Sequence, residues 1–155
     1  MQSICLRTIF SQSFLTITNN PRGFFVKNGS VVLSRWFNSE KSVDIDVKSL
    51  QKMMKSNDVK LIDVREPDEL VKDGKIPNSI NIPLGEVEDA FKLDEKSFLE
   101  KYKIKKPNVA DENLVFSCRS GFRSQQAQKI AQSLGYKNPL NLLGGYKAWA
   151  EENGA

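Results

Sequence analysis

The residue types with the most chemical potential crowd into one short stretch. Cys118 ends an apolar run, Asn113 to Cys118, that carries Leu114, Val115 and Phe116 and reads as a buried strand. Directly after it come Arg119, Ser120, Gly121, Phe122 and Arg123, then a segment with Ala127, Ile130, Ala131 and Leu134 at helical spacing. A strand, a short loop and a helix start in that order form an anion cradle. Backbone N–H groups point into the turn, and the helix adds about half a positive charge at its first residues. Arg119 and Arg123 reinforce that field. All of these favour thiolate over thiol, which makes Cys118 a candidate nucleophile rather than a small strand-end hydrophobe.

The rest of the composition narrows the chemistry. The chain has no histidine, which excludes Cys-His and Ser-His-Asp catalysis and any His-ligated metal, and no metal site is expected. The other cysteine, Cys5, lies in a segment of different character. Residues 1–39 contain Arg7, Arg22, Lys27 and Arg35 and no acid, so they account for the whole net charge of +4. Leu6, Phe10, Phe14 and Ile17 would share one face of a helix there. An acid-free, Arg-bearing, Ser/Thr-rich leader has the pattern of a mitochondrial transit peptide, ahead of a plain disordered basic tail or a secretory signal, against which Asn19, Asn20 and Pro21 interrupt the apolar stretch. We expect residues 1–37 to be a disordered leader cut near Phe37, leaving 38–155 as a single domain in the mitochondrial matrix with Cys118 as its one thiol. The basic excess belongs to the leader, so nucleic acid is not an expected partner. Neither is a membrane, since no run reaches the ~18 apolar residues of a span.

From Asp44 onward, short apolar runs alternate with helix-period segments, the rhythm of an α/β sheet. Asp46 is placed to cap a helix bearing Val47, Leu50 and Met54, and Val59 to Val64 reads as a strand. Glu66-Pro67 ends that strand, and a helical turn through Glu69-Leu70 follows. Pro77 and Pro83 confine the next strand to about Ser79 to Ile82. Residues 85–104 read as one or two surface helices, with Lys101 to Lys106 a solvated basic face. Gly135 stops the helix after Cys118. Leu140 to Leu143 is the last strand, and Gly144-Gly145 leads to a final helix in which Tyr146 and Trp149 are core residues.

The spacing of the cradle separates two anion chemistries. Four residues lie between Cys118 and Arg123, one fewer than in cysteine phosphatases, and Ser117 stands where those enzymes usually carry a histidine. The shorter loop suits a sulfur atom carried on Cys118. At this point the chain resembles the rhodanese family over residues 43–153. Leu61-Ile62-Asp63-Val64-Arg65-Glu66-Pro67 is similar to its first signature, and Gly74 to Pro83 is similar to its second. Cys118 to Ser124 resembles the active-site loop, and Gly144-Gly145-Tyr146 with Trp149 resembles the ending. Lys75 departs from the pattern, standing where many relatives have histidine.

The resemblance implies an α/β fold, an open parallel sheet of about five strands with helices on both faces. It implies a thiosulfate sulfurtransferase in which Cys118 takes sulfur from thiosulfate, or another persulfide donor, and passes it to cyanide or a thiol such as glutathione or a thioredoxin-like protein. No cofactor is implied. Sulfite leaves as a stable anion, so the missing histidine costs nothing. Arg119, Ser120, Gly121, Phe122 and Arg123 become the expected donor-binding loop, and Asp63 and Arg65 are expected to support it from a strand end. The main rival reading is a persulfide relay or docking module that serves one protein partner without free turnover, and the other is a phosphatase or arsenate-handling enzyme, against which the loop length argues.

Overall fold

The computed structural model describes residues 26, 27, 30, 31, 43–57 and 59–154. The expected leader therefore lies almost wholly outside the described residues. Within Met1–Ser39 the described part is a short antiparallel pair, β1 (Val26–Lys27) with β2 (Ser30–Val31). Glu40–Ala155 is a separate compact unit.

That unit is built on a parallel five-stranded sheet in the order β3-β7-β6-β4-β5, comprising β3 (Val43–Ile45), β4 (Lys60–Asp63), β5 (Ile80–Asn81), β6 (Leu114–Ser117) and β7 (Leu140–Leu142). The helices are α1 (Val47–Lys55), α2 (Pro67–Asp73), α3 (Val87–Lys92), α4 (Glu95–Tyr102), α5 (Phe122–Ser133) and α6 (Gly145–Asn153). The α/β architecture expected from the alternation is the one observed.

Strand side chains alternate between two cores, as the period of two demands. Ile62, Val64, Leu114 and Phe116 meet Val87, Phe91 and Phe98 on one face, together with Ala127 and Ala131 of α5. Leu61, Val115 and Leu142 meet Val47, Leu50, Tyr146 and Trp149 on the other. Central strands buried on both faces read as unbroken apolar runs, which is why β4 and β6 were visible in sequence. Asp46 caps α1 by accepting the Ser49 N–H at 2.8 Å.

The helices expected over 85–104, and one strand that was not expected, have local causes. Residues 84–102 form a 3-10 turn (Leu84–Glu86) and two helices, split because Asp94 accepts the Lys96 and Ser97 N–H groups and starts α4 afresh. The inner faces of α3 and α4 pack into the core, with Phe98 fully buried, while their charged residues Glu88, Lys92, Glu95 and Glu100 face solvent. The edge strand β3 has no apolar run of its own. It is held by β7 and by Gln128, whose side-chain N–H₂ donates to the Val43 and Pro139 carbonyls at 3.2 and 2.7 Å.

Candidate active site

Cys118 lies one residue beyond the end of β6, at the carboxyl end of the sheet where ligands of open α/β folds bind. Its side chain is almost wholly enclosed, at 1% exposure. The Sγ accepts the Gly121 N–H at 3.1 Å and the Ser124 hydroxyl at 3.3 Å. Burial pushes the thiol up, but the Ser124 hydroxyl outweighs it together with the N–H groups of Ser124, Ser120 and Gly121, and the net shift is downward. The sulfur is thus met by fixed donors that favour its anionic form.

The loop takes this shape because its turn and its backing are both tight. Gly121 has φ +96°, and a Cβ there would meet the backbone of Gly144 and Leu142. Its conformation turns successive N–H groups inward and starts α5. Behind the loop, the N–H groups of Tyr146 and Lys147 at the start of α6 donate to the Cys118 and Arg119 carbonyls at 2.7 and 3.1 Å. That approach requires Gly145, since a Cβ there would fall 2.2 Å from the Cys118 oxygen. So α6 holds the carbonyl side of the loop while α5 offers its N–H side to sulfur.

Asp63 and Arg65 are fully buried and form a fork. The Arg65 Nε lies 3.0 and 3.1 Å from the two Asp63 carboxylate oxygens, and its Nη2 lies 2.7 Å from Oδ2. Arg65 also donates to the Gly74 carbonyl at 2.9 Å and lies 4.4 Å beneath the centre of the Tyr146 ring. The Tyr146 hydroxyl donates to the Asp73 carbonyl. Asn81 ties off the Asp63 and Arg65 carbonyls at 2.9 and 2.7 Å. This pair therefore reaches the Cys118 loop through Tyr146 and α6.

The remaining candidates spread around the mouth. Arg119 is 63% exposed, with Asp73 3.9 Å away. Arg123 forks onto Glu69 at 2.5 and 2.7 Å. Phe122 projects into solvent at 74% exposure. Ser124 closes the loop that resembles the family's active site but was given no role of its own, although a hydroxyl in the first turn of the helix behind a thiol is a usable signal. Glu69 as partner of Arg123, and Gly145 as the point of contact with the Cys118 carbonyl, carried none, because each pairs segments far apart in the chain. Among the described residues, no group of three or more His, Cys, Asp or Glu is placed to hold a metal ion.

Residues 46–152 match the family model of the rhodanese-like domain. A human thiosulfate:glutathione sulfurtransferase is 37% identical over 70% of this chain and 93% of its own. The mitochondrial thiosulfate sulfurtransferase RDL2 of Saccharomyces cerevisiae is 42% identical over 64% of this chain and 66% of its own. The solved structure of the human single-domain sulfurtransferase TSTD1 superposes with a TM-score of 0.67 at 36% identity, covering 72% of this chain and 97% of that one. The chain spans 66% of the length of a 44% identical mouse thiosulfate sulfurtransferase/rhodanese-like domain-containing protein and 86% of a 46% identical rhodanese domain-containing protein of Drosophila melanogaster. With the parallel sheet and the Cys118 loop in place, these matches establish that the chain belongs to the rhodanese-like domain family and has single-domain sulfurtransferases among its relatives.

Proposed function

We propose that this protein is a mitochondrial thiosulfate sulfurtransferase working through a Cys118 persulfide. The observation that carries the reading is the Sγ of Cys118 held by the Gly121 N–H and the Ser124 hydroxyl, with its thiol shifted downward. The Cys118 thiolate attacks the outer sulfur of thiosulfate, the S–S bond of the donor breaks, and its electron pair leaves with sulfite. The terminal sulfur of the resulting persulfide keeps the negative charge. An acceptor thiolate then takes that sulfur and returns Cys118 as thiolate, and cyanide does the same to give thiocyanate. No proton need move in either step, which fits a chain without histidine.

Arg119 and Arg123 supply the positive potential at the mouth, and the Ser120 and Gly121 N–H groups hold the terminal sulfur. The activity named for the human relative supports glutathione as acceptor, and the acid-free leader together with the yeast relative supports a mitochondrial location. Exposed Phe122 beside the mouth favours a second reading, a relay that docks one protein acceptor, such as a thioredoxin-like protein. Steady-state assay separates the two. Thiosulfate and cyanide, or thiosulfate and glutathione, should turn over continuously and fail to do so in Cys118→Ser. Stoichiometric persulfidation without turnover would favour the relay.

A further inference from the structure

Helix α2 has no fully buried residue, its one inward apolar side chain being the half-buried Leu70, so apolar packing alone does not fix its place. Polar contacts do, and two of them use carboxylates one helical turn apart, Glu69 and Asp73, which face the two arginines of the active-site loop. Glu69 is held from both sides. Its Oε2 accepts the Glu66 N–H at 3.1 Å, closing a capping box at the start of α2, and its two oxygens take Nη1 and Nη2 of Arg123. Arg123, in the first turn of α5, thus has both ends of its fork committed to a carboxylate. A site that merely maximised anion affinity would leave that fork open.

We infer that Glu69 sets how tightly the Cys118 site holds anions, by competing with the sulfur donor and with departing sulfite for the Arg123 fork. This rests on the thiosulfate reading above. Donor and leaving group carry the same sulfonate-type oxygens, so an unopposed Arg123 would hold both, and binding that is uniform along the reaction lowers KM without raising kcat. Glu69 is therefore a positioning residue: it touches Arg123, and through it adjusts release. Asp73 does the same for Arg119 more weakly, across 3.9 Å and at an arginine that is 63% exposed.

Glu69→Gln tests this cleanly, because glutamine at the third helical position preserves a capping box and one acceptor for Arg123 while removing the charge. The expected result is a KM for thiosulfate about fivefold to tenfold lower and sulfite inhibition tighter by a similar factor, both differences shrinking as salt is raised. Asp68→Asn removes the same charge from an exposed neighbouring position and should change neither constant. Asp73→Asn should shift both in the same direction as Glu69→Gln, by less.

Direct calorimetric titration with sulfite needs no turnover and keeps two failures apart. If the native protein forms no persulfide with thiosulfate, the functional reading falls and this inference with it. If it does form one, and Glu69→Gln melts as the native protein does yet binds sulfite no more tightly, only the role of Glu69 is overturned. Equal tightening in Asp68→Asn would also overturn it, by showing a diffuse field rather than the Arg123 pair.

Discussion

Two arginine-carboxylate forks sit on either side of the β4–α2 turn, and they differ in burial. Asp63–Arg65 is closed to solvent on both sides, whereas Glu69–Arg123 is 22% and 33% exposed. The inner pair touches Gly74, Tyr146 and Asn81, and so braces the end of the sheet and α6. The outer pair touches α2 and the first turn of α5, at the rim of the cradle. Geometry is similar, yet consequences diverge. Breaking a buried pair strands a charge in low dielectric, while breaking a rim pair mostly changes the local field. The inner fork is therefore a fold device and the outer one a device for tuning chemistry.

The largest effect should come from the inner fork. Arg65→Ala leaves the Asp63 carboxylate buried without its partner and should cost about 3–5 kcal/mol, read as a lower urea midpoint. A loss under about 1 kcal/mol would remove the distinction between the forks. Gly145→Ala comes next. It forces a Cβ toward the Cys118 carbonyl at φ +58°, and should cost about 1–3 kcal/mol while displacing the loop and lowering turnover.

The outer fork should appear in acid. Arg123, by its hydrogen bonds, holds the Glu69 carboxyl down at about 2. Its pKa is lower folded than unfolded, so its stabilisation is present above the usual carboxylate range and lost as pH falls from about 4.5 toward 2. After allowance for solvent screening it amounts to about 1–2 kcal/mol, and Glu69→Gln should flatten that part of the acid-unfolding curve. Smallest is Ser124→Ala. Losing the hydroxyl leaves the thiol higher, so the pH profile of persulfide formation should move to higher pH and the rate at pH 7 should fall about fivefold. An unmoved profile would mean the backbone N–H groups suffice.

Much of this was legible from residue order. The runs around Ile62 and Phe116 marked the central strands, Asp46 and Gly135 marked helix ends, and the strand-loop-helix passage through Cys118 marked the candidate nucleophile. The illegible parts depend on partners brought together only by the fold. β3 is too short and exposed to carry a period, and needs Gln128 from α5. The fork of Arg123 was open in sequence and is met by a carboxylate 54 residues earlier. Gly144-Gly145 read as a turn, but its greater constraint is the Cys118 carbonyl lying against Gly145.

The central claim is that sulfur is carried covalently on Cys118, and intact mass spectrometry after brief thiosulfate treatment tests it most directly. A single adduct of about 32 Da should appear, vanish on adding glutathione or cyanide, and be absent in Cys118→Ser. An unmodified mass, or an adduct that persists in Cys118→Ser, would contradict the account.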